Sequence, residues 1–328
     1  MRTFRHAQFR ILCLTILPAL SLVAQTPLES AKVAYEKGEY TKAIAILQSE
    51  ATKDPQNGEV QLLLVKSYLE TKQIDAAVSS AEKAVAIAPN NSVYHQWLGQ
   101  AYGEKASHAS MFSAYPLARK TQKEFDTAVQ LDGHNFDAAQ DLVEYDCTAP
   151  GMVGGGEDKA QPLIQKLTSM DQAEGHYAAG NCRQAKKDYP AADIEFAKAL
   201  DSHPKSANRI YDLGDYFVEH AKPDKLLVVA AEGEAVDASD PRAKYYRAVA
   251  WILTSEKLPN AEKLLREYIQ VAPLRSAYPK PWEAHYWLGR LQEQEKNTSA
   301  ARTEYQAALK QNPKYKLAQE ALKQLGNK

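Results

Sequence analysis

A chain of 328 residues, 45% hydrophobic and 25% charged, can bury a core without a disulfide or metal staple. Its formal net charge of −1 excludes the basic footprint of a nucleic-acid-binding surface.

The N-terminus is the first informative stretch. Arg2, Arg5 and Arg10 form a basic region, followed by an apolar run over residues 11–24 that is interrupted by Thr15, Pro18 and Ser21. That run is short of the roughly 20 residues that span a bilayer. Small residues mark its exit, either Ala24 before Gln25 or Ser21 with Ala19 two residues upstream, as a signal peptidase requires. Residues 1–24 are therefore expected to be a cleaved signal peptide, leaving a periplasmic or secreted protein with no membrane span. Pro18 and the abrupt polar switch at Gln25 argue against an ordinary first helix. Cys13 lies near the start of the run, not at its end, which argues against an acylated lipoprotein cysteine. Cleavage removes three arginines and no acid, leaving 37 basic against 41 acidic side chains, a net of −4. Cys147 and Cys182 remain. In an oxidising compartment they fit one disulfide; in a reducing one they would be ordinary buried thiols.

From residue 25 onward the chain reads as paired amphipathic helices. Segments 61–70, 76–87 and 300–311 place apolar residues at three- and four-residue intervals, and no segment alternates with the period of a strand. A longer period organises them: Ala43 and Ala77 are 34 residues apart, as are Pro55 and Pro89. Trp97-Leu98-Gly99 leads to Tyr102, and Trp287-Leu288-Gly289 leads to Ala301, Tyr305, Ala308 and Pro313. This resembles the tetratricopeptide repeat, a 34-residue helix–turn–helix with the pattern W-x2-L-G-x2-Y, then A-x3-F, then P. The resemblance implies an all-α fold, a right-handed superhelical solenoid of stacked helix–turn–helix repeats. About eight units fill residues 25–313, starting near Gln25, Gly58, Ser92, Phe136, Ala173, Ala207, Arg242 and Trp282. Pro204, Pro241, Pro273 and Pro313 close the later ones, because proline cannot continue a helix. Residues 314–328 are expected to form a capping helix, with Lys314, Lys316, Gln319 and Lys323 polar against Leu317, Ala321 and Leu325.

Three insertions break the frame. The third unit carries about ten extra residues around 107–116, and Pro116 suits the first turn of a longer second helix. The fourth holds Pro150-Gly151-Met152-Val153-Gly154-Gly155-Gly156 between its helices, and residues 274–281 separate the seventh unit from the eighth. The glycine run is not a phosphate loop: Glu157 and Asp158 stand where lysine and serine or threonine are needed, and no strand precedes it. It reads as a flexible turn feeding a helix whose acidic first residues favour its positive dipole end.

None of the eight histidines has a zinc spacing. His95, His176 and His285 occupy equivalent repeat positions and are expected to pack between helices. No nucleophile, metal or cofactor site stands out, and the resemblance implies a binding scaffold, not an enzyme.

In the resembling family the first helices line a concave groove. Its groove positions carry over to Tyr177, Tyr211, Tyr246 and Tyr286, with Asn181, Asp215 and Arg290 beside them. This row reads either as packing or as an aromatic strip for an extended chain. Elsewhere the groove leans acidic, with Glu59, Glu70, Glu104, Asp137, Glu144, Glu219 and Glu283 against Lys66 and Arg290. A clamp for a C-terminal carboxylate would need basic residues there. The first two insertions should project from one edge of the rod, bringing Met111, Phe112, Tyr115, Met152 and Val153 together. There they either tie down the turns or form a lip for a partner. In the repeat frame Cys147 and Cys182 lie late on neighbouring first helices, so a disulfide between the fourth and fifth units is expected.

The Pro-Gly-x-x-Gly-Gly-Gly turn is also similar to one in the T component associated with some TRAP-type substrate transporters. Two functions follow as expectations: an exported scaffold for a protein or peptide, or a small-ligand carrier serving an envelope transporter. N-terminal sequencing of protein recovered from the producing cell's envelope or medium should begin near Gln25, whereas an intact Met1 would remove the export reading.

Overall fold

A computed structural model of the chain describes residues 26–326. The expected signal peptide therefore lies outside the described residues. Seventeen α-helices and no strand are found among them. The first sixteen are consecutive antiparallel pairs: α1 (Pro27–Glu36) with α2 (Tyr40–Lys53), and α3 (Gly58–Glu70) with α4 (Ile74–Ile87). Next come α5 (Ser92–Ser107) with α6 (Met111–Leu131), and α7 (Phe136–Thr148) with α8 (Glu157–Met170). They continue as α9 (Gln172–Ala185) with α10 (Tyr189–Asp201), and α11 (Ala207–Glu219) with α12 (Pro223–Val236). The last two are α13 (Arg242–Thr254) with α14 (Leu258–Val271), and α15 (Pro281–Gln294) with α16 (Thr298–Gln311). The helix α17 (Lys316–Gly326) ends the all-α solenoid, burying Ala318, Ala321 and Leu325 on one face.

Local signals set these boundaries. Asn57, Asn91 and Asn135 stand just before α3, α5 and α7, and each side-chain oxygen accepts from the amide three residues on. Such caps satisfy a donor that the helix leaves open and contribute about 1 kcal/mol each. Within the pairs the turn passes through a left-handed residue: Gly38, Lys72, Lys187, Ala221 and Lys296 all have positive φ.

Close approach of the paired helices follows from small residues. Ala43, Ala77, Ala192, Ala261 and Ala301, all in the first turn of a second helix, are fully buried. Opposite them, glycines open notches for aromatic rings. A Cβ on Gly99 would sit 2.5 Å from the Phe125 ring, and one on Gly289 would sit 2.3 Å from the Tyr305 ring. The histidines that share a repeat position bridge the same seam: Nδ1 of His95, His176 and His285 lies 2.6–2.7 Å from a carboxylate oxygen of Glu124, Glu195 and Glu304 on the second helix.

The core is not uniform along the rod. One apolar cluster runs from α1 through α6, a larger one from α10 to α17. Between them, around α7 to α9, lies a smaller cluster of Ala139, Val143, Ala160, Ile164, Leu167, Ala178 and Cys182. There the disulfide Cys147–Cys182 joins the fourth and fifth pairs, with Cα atoms 5.3 Å apart. It crosslinks the rod where buried apolar contact is thinnest.

The insertions take three forms. The first lengthens α6 to 21 residues, and Pro116 sits in its second turn, not its first. Its missing amide leaves the Phe112 carbonyl without that helical donor, which an exposed helix end tolerates. The glycine turn is ordered: a 3-10 turn over Gly151–Val153 passes through Gly154 at φ 105°. Tyr145 Oη donates to Ala118 O and Val153 O, and Gln122 Nε2 donates to Gly154 O, so the turn is tied to the flank of α6. The third insertion, expected over 274–281, spans residues 272–280, because Pro281 already opens α15, and it crosses to the first pair. Replacing both Cys147 and Cys182 by alanine should lower stability by about 2–4 kcal/mol in denaturant titrations. In the unreduced, denatured protein neither thiol should alkylate.

Candidate functional site

The first helices of successive pairs pack side by side and form the inner face of the solenoid. Side chains from α1, α3, α5, α7, α9 and α11 converge there on one cavity of about 680 Å³. Ligand clefts commonly have volumes of roughly 300–1,000 Å³.

Residues 272–280 strap this cavity. Arg275 pairs with Glu36 and lies 5.4 Å from the Tyr35 ring centroid, across 239 residues of sequence from Glu36. Ser276 Oγ donates to Glu70, and Leu274 packs so tightly on Gly38 that a Cβ there would lie 2.9 Å from its own. The other side of the strap is anchored on the seventh pair. Arg242 Nη1 donates to Ala277 O at 3.1 Å, its guanidinium lying 4.3 Å from the centroids of Tyr211 and Tyr278. Lys280 Nζ reaches the Arg275 carbonyl, and Tyr268 Oη donates to Pro279 O. One turn of the superhelix is thus closed on itself by side chains.

Most charges in the cavity are already matched. Lys32 pairs with Glu59, and Arg209 holds Glu174, Asp137 and Asp212 while lying 4.1 Å from the Tyr177 ring centroid. Burial pushes the Tyr177 hydroxyl up to about 12, with Asp212 adding to the shift. Four charged groups lining the cavity are left without an ion pair among the described residues, one of them Glu70, which accepts from Ser276 Oγ. Lys66 lies 4.8 Å from the Trp97 ring centroid, and burial, with Arg275 nearby, lowers its pKa. Asp141 Oδ2 accepts from Gln96 and Gln100 at 2.9 and 2.8 Å. Burial nevertheless pushes its carboxyl up to about 6. Glu144, one turn further on α7, has no hydrogen-bond partner for its carboxylate among the described residues, and burial raises its pKa also. The cavity therefore presents an aromatic face, amides and three carboxylates without an ion pair against a single such ammonium. It suits a polar ligand that carries a cationic group.

Only part of the expected aromatic row reaches this cavity. Tyr177 and Asn181 line it. Tyr211 and Tyr246 do not: both are fully buried, stacked with centroids 5.4 Å apart, and the Tyr246 hydroxyl donates to Tyr211 O and Asp215 Oδ1. Tyr246 fills the notch at Gly214, where a Cβ would lie 2.7 Å from its ring. These two rings are core: Asp215 accepts from Tyr246, and the buried Tyr211 hydroxyl has no hydrogen-bond partner among the described residues. Tyr286 is buried against Tyr315 and Trp287 near the end of the rod, and accepts from Arg290 Nη1. In the N-terminal half the same row continues as Leu62, Gln96 and Gln140, and the neighbouring row as Lys66, Gln100 and Glu144, all lining the cavity. A sequence search for aromatics passes over them; the repeat register alone could have found them.

The edge residues also divide. Val153 is buried, whereas Met111, Phe112, Tyr115 and Met152 are exposed. They do not pack on one another, and the turns are held instead by the Tyr145 and Gln122 hydrogen bonds. Among the described residues no three His, Cys, Asp or Glu side chains converge to hold a metal, and no helix is long and apolar enough to cross a membrane.

Residues 34–101 and 256–316 each match a family profile described as tetratricopeptide repeat. Over those residues the chain carries tetratricopeptide repeats. Such repeats typically serve as protein–protein interaction scaffolds. Among solved structures, the chain is similar to a thermophilic TPR protein of Thermus thermophilus, at 18% identity and a TM-score of 0.47 over 58% of this chain and 96% of that one. It is also similar to a tetratricopeptide repeat protein of Parabacteroides merdae, at 11% identity and a TM-score of 0.41 over 91% and 97% of the two chains. The APC/C hetero-tetramer Cut9–Hcn1 shows 12% identity and a TM-score of 0.49 over 94% of this chain and 57% of that one. No curated protein matches the sequence.

Asp141 makes the repeat's stability pH-dependent in a definite sense. Its folded pKa lies above the unfolded value near 4, so the folded state is favoured below about pH 4 and that contribution is lost as pH rises through about 6. Asp141→Asn, which keeps an oxygen for Gln96 and Gln100, should stabilise the protein by roughly 1–2 kcal/mol at pH 8. Thermal melts should show that gain shrinking toward pH 5.

Proposed function

We propose that this tetratricopeptide protein is an exported, non-catalytic scaffold of the cell envelope that holds an extended segment of a partner polypeptide in the strapped cavity. A basic side chain of that segment would lie against Asp141 and Glu144, with Trp97 and Tyr177 covering its neighbours. The observation that supports this reading is the convergence of six first helices on one polar cavity whose unmatched charges are mainly carboxylate. Buried carboxylates attract a cation more strongly than exposed ones, and backbone amides of an extended segment would find the acceptors and donors of Gln96, Gln100 and Gln140.

The strap favours a second reading. Because Arg275 and Ser276 close the cavity against α1 and α3, a small cationic ligand would be enclosed there more readily than a long chain. That is the arrangement expected of a ligand carrier serving an envelope substrate transporter.

Fluorescence anisotropy with a library of labelled, extended heptapeptides separates these readings from failure of both. Lysine- or arginine-bearing peptides should bind, and binding should tighten as pH rises through about 6 while Asp141 ionises. Asp141→Asn combined with Glu144→Gln should weaken it about tenfold, the loss of one good charge-assisted contact. Preference for acidic peptides, or indifference to the double variant, would overturn the peptide reading. A retained small-molecule mass in native mass spectrometry of the purified protein would favour the carrier.

A further inference from the structure

One edge of the rod carries a surface that the cavity does not use. Residues 106–123 contain three cations, Arg119, Lys120 and Lys123, and no carboxylate, in a chain where acids outnumber bases; Lys105, just before them, pairs with Asp75. The first turn of α6 lies within that stretch, with Met111 85% and Phe112 91% exposed. Phe112, Tyr115, Pro116, Arg119 and Lys123 share one face of α6 by the 3.6-residue repeat, and all five are exposed. This face is apolar at its N-terminal end and cationic over the next two turns, until Asp126 ends the stripe. Arg119 and Lys123 form no ion pair among the described residues, and Lys120 lies 4.9 Å from the centroid of Tyr102. Met152, 72% exposed, projects from the 3-10 turn that Tyr145 and Gln122 tie to the same helix.

We propose that this face of α6 is a docking surface for an anionic lipid bilayer. Met111 and Phe112 protrude from the first turn of the helix, with Tyr115 just beyond it. A fluid interface accepts protruding Met, Phe and Tyr without a shaped complement, while a protein partner would need a matching pocket. The charges are complementary as well: an anionic headgroup layer attracts each lysine or arginine near it, and an apolar insertion with a basic patch supplies the two signals that stable peripheral binding requires. With α6 lying along the surface, Phe112 enters the acyl boundary and Tyr115 sits at headgroup depth. Arg119 and Lys123, about 10 and 16 Å further along the axis, then meet phosphates. Binding here is independent of what fills the cavity.

The test is co-sedimentation of the chain from Gln25 onward, which holds every described helix, with lipid vesicles. Starting at Gln25 keeps the apolar run 11–24 from binding lipid itself. Vesicles containing about one-third phosphatidylglycerol should bind the protein and pure phosphatidylcholine vesicles should bind it far less. Met111→Ser with Phe112→Ser, and separately Arg119→Glu with Lys123→Glu, should each weaken binding at least about tenfold. The substituted side chains are exposed, so circular dichroism melts should be unchanged. Absence of wild-type binding to anionic vesicles, or binding that neither variant alters, overturns the proposal. A wild type that ignores vesicles but loses a protein partner in the same variants would overturn it in favour of a protein-docking edge.

Discussion

In the first turn of five second helices, Ala43, Ala77, Ala192, Ala261 and Ala301 are completely buried against the helix before them. With a methyl group or less between the backbones, paired helices come close enough for an aromatic ring to seat in a glycine notch in some seams, as Phe196 does at Gly180 and Tyr305 at Gly289. No single pair could bury its apolar stripe alone, so this repeated close contact makes stacking the stable arrangement. The rise and rotation of the stack then place every first helix on the inner face. The cavity is a consequence of that geometry, because its lining is drawn from the inward side of those same helices.

A regular stack would leave this inner face as an open groove. Closure comes from a segment that does not belong to the repeat at all. The strap over residues 272–280 is held by Arg242 and Tyr268 on one side and by Glu36, Tyr35, Gly38 and Glu70 on the other. Its contacts join residues more than 200 positions apart and become possible only after nearly a full superhelical turn has formed. The disulfide near the middle, between Cys147 and Cys182, supports the stretch where the two larger apolar clusters give way to a small one. Ring closure and crosslink together resist the flexing to which a one-dimensional stack is prone.

One register position serves two purposes along the rod. At Tyr211 and Tyr246 it carries rings that stack on each other and fill glycine notches. At Leu62, Gln96 and Gln140 it faces the cavity, and Tyr177 stands at the junction of the two regimes, under Arg209. The N-terminal half of the row lines the cavity, while the aromatic half is core. Burial explains why the aromatic residues attract attention in a sequence and yet are unavailable to a partner.

The helical pairing, the period, the capping asparagines and the small-residue seam are all local or nearest-neighbour properties, so the amino-acid order determines them directly. The repeat resemblance likewise follows from side chains at fixed spacing. Which first-helix side chains face a cavity, and which are covered by the next pair, depends on the accumulated rotation of the stack. So does the meeting of Arg275 with Glu36, which no periodicity encodes. The exposure of Phe112 and burial of Val153 were equally undecided, since both sit in insertions that obey no repeat. Short-range hydrogen bonding and packing write themselves into spacing; contacts between distant repeats depend on summed geometry, and only the tertiary structure carries that sum.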